Sequence, residues 1–148
     1  MPMVFRTLLV LVFLLPSFAM AQTGSPVGVW KTIDDVSGKQ RSIVRIVETD
    51  GELSGTVDMI FDRPGEDPEH LCDKCKGDLK NKPVIGMTIL WGLKKKGDVW
   101  KGGNILDPDN GKTYGCKMEL AANGTELNVR GFIGISLIGR SQTWYRME

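Results

Sequence analysis

The run that decides the fold is Val99–Leu120, VWKGGNILDPDNGKTYGCKMEL. Two stretches rich in β-branched and aromatic residues flank Asp107-Pro108-Asp109-Asn110-Gly111, a segment of turn residues throughout. Asn-Gly accepts the positive φ that a tight hairpin turn needs. Past the turn, Tyr114, Cys116, Met118 and Leu120 fall on one side, while Thr113, Lys117 and Glu119 take the other. That is the period of two of a strand with one buried face. The run therefore reads as an antiparallel hairpin.

The same grammar extends in both directions. Further strands are expected at Val29–Thr32, Ser42–Glu48, Glu52–Phe61, Val84–Leu90, Glu126–Gly131 and Ser141–Met147, beside Val99–Leu106 and Lys112–Leu120. Asp50-Gly51, Lys96-Gly97-Asp98 and Asn123-Gly124 supply turn chemistry between them. Eight short strands joined largely by hairpins make an all-β fold, a small antiparallel up-and-down barrel. A sandwich is the alternative. In Glu52–Phe61, strict alternation puts Leu53, Gly55, Val57, Met59 and Phe61 inside. An eight-stranded barrel has room for core side chains or for one small ligand.

One segment breaks the pattern. Asp62–Lys82, DRPGEDPEHLCDKCKGDLKNK, is polar, holds two prolines and is too long for a hairpin turn. Long loops in compact domains are usually functional or locally stapled. A short helical turn is expected near Glu69–Lys76. Cys72 and Cys75 form a C-x-x-C with three readings. A disulfide suits an exported protein. A redox pair needs a strand–helix setting that is missing here. A zinc set of His70, Cys72, Cys75 and Cys116 lacks the second C-x-x-C of a zinc ribbon. The disulfide is the preferred reading, with no metal and no cofactor, and Cys116 is read as a buried small hydrophobe. His70, the only histidine, reads as an exposed loop residue. The carboxylate pairs Asp34-Asp35 and Asp107/Asp109 flank turns, and no phosphate-cradling glycine loop is found. Nothing here supports an enzyme.

The start of the chain gives its destination. Arg6 precedes the apolar run Leu8–Leu15, LLVLVFLL, and Ala19-Met20-Ala21 follows. A charged beginning, a short apolar run and small residues at −3 and −1 mark a signal peptide over 1–21, cut after Ala21. The run is too short to span a bilayer, which takes about 20 apolar residues. The mature chain, 22–148, is expected to be one soluble, periplasmic or secreted domain with no later membrane span. The whole chain has 19 Lys+Arg and 18 Asp+Glu, and residues 1–21 remove only Arg6. Such balance gives no argument for a nucleic-acid partner.

GVWKT, CDKCKGDLKNKPVIGM, WKGGNILDPDNGKTYGCKMEL, LNVRGFIG and LIGRSQTWYR follow one another along the chain. In that order they resemble DUF2147, an exported bacterial family similar to lipocalins in fold. Gly28-Val29-Trp30 matches the lipocalin G-x-W motif. The resemblance implies that Trp30 plugs one barrel end and that a basic residue near the last strand packs across it. Arg146 is that residue, with Arg140 as second choice; both flank Trp144. Gly28, Trp30, Trp144 and Arg146 are thus structural candidates, and a non-enzymatic barrel is implied.

The favoured function is binding of a small apolar or amphipathic molecule, such as a fatty acid. Met59, Phe61, Met87, Ile89, Tyr114 and Met118 are its candidate lining, and Arg45, Arg130 or Arg140 is the candidate partner of a ligand carboxylate. The competing class is an envelope structural or interaction protein with a filled barrel, and metal or redox chemistry at the C-x-x-C loop is a weaker third. Phe132–Ile138, FIGISLI, is apolar and uncharged. It reads first as a buried crossover or strand end, and alternatively as an exposed partner or lipid contact.

Overall fold

Hairpins form where Gly-containing pairs release the backbone into positive φ. Asp50 and Gly51 take φ of 52° and 77°, and Gly97 and Gly111 take 64° and 71°, values that only glycine and a few polar residues reach cheaply. The computed structural model describes residues 24–135 and 137–148; the expected signal peptide, 1–21, lies outside them. The strands are β1 (Gly28–Ile33), β2 (Gln40–Thr49), β3 (Glu52–Ile60), β4 (Thr88–Lys96), β5 (Val99–Asp107), β6 (Lys112–Ala121), β7 (Glu126–Phe132) and β8 (Gly139–Arg146). Each pairs antiparallel with the next, and β8 returns to β1 through Trp30↔Arg146 and Lys31↔Tyr145. The result is a closed up-and-down barrel, not a sandwich. Closure leaves no sheet edge to aggregate.

The two ends differ. At the closed end the β2–β3 and β4–β5 connections are tight turns, and a 3₁₀ turn, Ala122–Gly124, links β6 to β7. Trp30, Val44, Ile46, Leu53, Leu90, Leu93, Met118 and Leu127 fill this half and are essentially inaccessible to solvent. At the open end lie the β1–β2 loop, the long β3–β4 loop, the β5–β6 turn and the β7–β8 loop. The long loop folds back on itself. Leu71 bridges Pro83, and the Cys72 amide donates to the Lys82 carbonyl. Cys72 and Cys75 are joined by a disulfide and are buried. The only helical turn of the loop is a 3₁₀ turn at Gly77–Leu79, downstream of the expected Glu69–Lys76.

Several expectations are corrected. β3 carries a bulge: Ile43 pairs with Met59, but Val44 pairs with Val57, leaving Asp58 as the extra residue. An extra residue flips every side chain beyond it to the other face. Met59 is therefore 42% exposed on the outside, and Ile60 packs against the core in its place. Phe61 lies past the strand end and is not an interior residue of β3. On the other side of the bulge the end of the long loop pairs with β3: the Val57 amide donates to Met87 O and its carbonyl accepts from Gly86 N. β4 starts at Thr88, not Val84. Phe132–Ile138 is not a buried crossover: Ile133, Ile135, Leu137 and Ile138 are all exposed.

Candidate functional site

The closed end is sealed by one arginine. The Arg146 guanidinium sits 4.3 Å from the Trp30 ring centroid, a cation–π contact of ~0.5–2 kcal/mol. Its nitrogens donate to the carbonyls of Gly124 (2.6 Å), Ser25 (2.8 Å) and Val27 (2.9 Å). Trp30 Nε1 donates to Pro26 O at 2.8 Å. Gly28 makes the arrangement fit. A Cβ there would come within 2.6 Å of Arg146 Nη1 and 2.4 Å of the Glu148 carbonyl. Arg140, the second choice for this role, is at the other end of the barrel, because β8 runs from the open rim to the closed floor.

Above the packed half the barrel is hollow. A cavity of about 970 Å³ opens at the loop end. Its apolar wall comes from Val57, Ile60, Ile89, Leu106, Val129 and Trp144. Two hydrogen-bonded polar pairs lie among the lining residues. Thr32 Oγ1 and Ser42 Oγ share a hydrogen bond at 2.7 Å, and Trp144 Nε1 donates to Gln142 Oε1 at 3.2 Å.

The rim carries charge in a connected belt. Arg41 pairs with Glu66 (2.9 Å) and Asp109 (2.8 Å). Arg63 pairs with Asp34 (3.2 Å) and Asp109 (3.4 Å), and Arg140 pairs with Asp35. The belt joins the β1–β2 loop, the long loop, the β5–β6 turn and β8. A Ser37 hydroxyl holds the Asp34 carboxyl below its ordinary pKa, and the Arg140 guanidinium does the same for Asp35. Burial pushes the Asp107 carboxyl the other way, upward. His70, expected to be exposed, keeps only 10% of its side-chain surface; it lines the cavity with Nε2 2.7 Å from Asp62 Oδ1.

The candidates from the sequence divide. Ile89 and Tyr114 line the cavity, and Arg140 stands at its rim. Met87 and Met118 are buried in the packed core and are not cavity-lining. Met59 and Phe61 are not part of the cavity lining. Arg45 lies outside and pairs with Asp58 at 2.9 Å; Arg130, also outside, donates to Ser141 Oγ. Cys72 and Cys75 are disulfide-bonded, so neither offers a thiolate. Cys116 is buried in the core, and burial pushes its thiol up to about 12. Among the described residues, no three His, Cys, Asp or Glu side chains converge as metal ligands.

The family described as an uncharacterized protein conserved in bacteria, DUF2147, matches residues 28–146, from the first residue of β1 to the last of β8. The chain belongs to the DUF2147 family. Among curated proteins, none is similar enough in sequence to match. Among solved structures, this DUF2147 barrel is similar to protein HP1028 from Helicobacter pylori, described as belonging to the lipocalin family. The TM-score is 0.71 at 23% identity, over 84% of each chain. The fold is lipocalin-like.

Sequence reasoning missed most of the DUF2147 rim. Arg41 and Arg63 carry no motif, and the acids they meet come from other loops. The only local signal was the density of carboxylates in the turns, Asp34-Asp35 and Asp107/Asp109. Of the apolar wall, Val57 was legible as inward-facing from the alternation of Glu52–Phe61, and Ile89 was a candidate lining residue. Their position above the packed half was not legible, because depth along a barrel depends on stagger between strands.

Proposed function

We propose that this DUF2147 barrel binds a small apolar or amphipathic molecule, fatty-acid-like or lipid-like, outside the cytosol. The carrying observation is the cavity of about 970 Å³ with an apolar wall and a charged mouth. Sites for small ligands are concave, mostly apolar and equipped with a few fixing groups. An acyl chain fits among Val57, Ile89, Leu106, Val129 and Trp144. An anionic head fits at Arg140, whose side chain is 58% exposed. Its pair with Asp35 is of the exposed kind, worth little and easily exchanged. A filled scaffold is disfavoured by the same cavity. Cys116 offers no nucleophile, because its thiol is buried and held protonated. Export rests on the signal-like residues 1–21.

Native mass spectrometry of the protein from its own host tests both parts. The expected result is a chain starting at Gln22 that carries a lipid-like adduct. Titration with a fluorescent fatty acid, read through energy transfer from Trp144, should then saturate. A chain with no adduct and no saturable probe binding would sink the reading.

A further inference from the structure

We infer that the open end of this barrel docks on an anionic lipid bilayer, led by the tip of the β7–β8 loop. Ile133, Ile135, Leu137 and Ile138 are 65%, 58%, 84% and 66% exposed on this one loop. Soluble proteins rarely concentrate large aliphatic side chains at a loop tip without a contact for them. The tip is a shaped element. The Ile133 amide donates to Ile138 O and the Ile138 amide to Ile135 O, while an Arg130 nitrogen donates to Leu137 O.

Two further observations choose the occupant. The first is position: Ile133 and Ile138 also line the cavity, so the exposed aliphatic side chains stand at its mouth. A lipid leaving a bilayer against this tip passes them on its way to Val129 and Trp144. The second is charge. A groove beside Ile133 is lined by Lys76, Leu79, Lys112 and Tyr114. The Cys72–Lys82 segment that forms one side of it holds four lysines against two aspartates, and these lysines are exposed. The rim acids Asp34, Asp35, Glu66 and Asp109 are matched to Arg41, Arg63 and Arg140. The lysine excess is local to this groove, whose lining holds Lys76 and Lys112 and no acid, while the acids Asp62, Asp67 and Glu69 belong to the other part of the long loop. Aliphatic side chains that insert, flanked by lysines that reach the headgroups, are the two signals that peripheral membrane binding takes.

Docking deepens the binding reading only in what is exchanged, and the test separates the two. The chain from Gln22 is sedimented with phosphatidylcholine vesicles, with and without phosphatidylglycerol, in parallel with fluorescent fatty-acid binding in solution. Ile135→Asp/Leu137→Asp changes the tip without touching the cavity lining, and Lys76→Glu/Lys112→Glu changes the groove. The expected result is binding to the anionic vesicles that weakens with salt and falls about tenfold or more in each double variant. Probe affinity in solution stays unchanged in the Ile135/Leu137 variant. Equal sedimentation of wild type and variants overturns the proposal, as does binding indifferent to phosphatidylglycerol. A wild type that ignores both vesicles but self-associates through Leu137 assigns the tip to a second copy, and also overturns it. Loss of probe binding in the wild type defeats the cargo while leaving docking standing on the vesicle result.

Discussion

Asp107 shows how one side chain reports on the mouth of the barrel. It is the last residue of β5, lines the cavity, and its Oδ1 accepts the Asp109 amide at 2.9 Å. Burial raises its pKa above the ordinary 3.8, and the nearby Asp109 charge adds to this. The folded carboxyl thus holds its proton to higher pH than the unfolded one, and this group's contribution to stability falls as pH rises through that window. Asp34 and Asp35 have the opposite sign. Their lowered carboxyls stabilise the fold above the ordinary carboxylate range and lose that effect as pH drops below it. Asp107→Asn keeps the acceptor and removes the charge. Its expected effect is a rise of a few degrees in Tm at neutral pH, shrinking to nothing once the wild-type carboxyl is protonated in both states. Melting curves at neutral and acid pH check this, and a pH-independent offset would contradict it. At this scale the sequence disclosed Trp30 and Arg146 through the resemblance to the lipocalin motif, and the two residues do sit opposite each other on β1 and β8. It was silent where neighbours meet through loops, as for Arg63 and Asp34.

The long loop is held as an element by backbone fit as much as by its disulfide. Gly111 in the β5–β6 turn has φ of 71°, and a Cβ there would lie 1.9 Å from the Lys74 carbonyl oxygen. The turn and the C-x-x-C backbone are therefore in direct contact, and Cys72 Sγ reaches Pro108 O at 3.7 Å. Gly111→Ala meets both the left-handed penalty and this clash, for a cost of roughly 2–4 kcal/mol. Gly97→Ala is the control: its φ is 64° with nothing within 4 Å of the new Cβ, so only the backbone penalty of about 1–2 kcal/mol applies. Chemical denaturation should rank the two in that order. Hydrogen exchange should then speed up over 70–84 in the first variant alone. The Asn110-Gly111 turn was plain in the sequence, but the loop that lands on it was not. The loop also meets β3 at the one error of face. It pairs Gly86 and Met87 with Val57, beside the bulge that turns Met59 outward and Ile60 inward. A bulge of one residue leaves no mark in local alternation.

As a whole molecule the barrel is divided along its axis. The closed half is filled by fully buried side chains, and the open half holds the cavity. Strand number and alternation, both readable in the sequence, allow a filled or a hollow barrel equally, since the same inward Val or Ile can meet a neighbour or empty space. Substitution to a large side chain tells them apart. Val44 is fully buried in the closed half, where Gly55 and Leu90 crowd it. Val57 on β3 and Val129 on β7 are also buried but line the cavity, from opposite walls of the eight-stranded ring. Val44→Trp has no room and should cost about 3 kcal/mol or abolish folding. Val57→Trp/Val129→Trp should fold with a Tm close to wild type, because the new rings enter existing space. It should also bind a fluorescent fatty acid about tenfold more weakly, because those rings take the place of the ligand. If the double variant is as unstable as Val44→Trp, the open half is packed in solution and no ligand has room in it. If it is stable yet binds the probe like wild type, the ligand lies elsewhere than between β3 and β7.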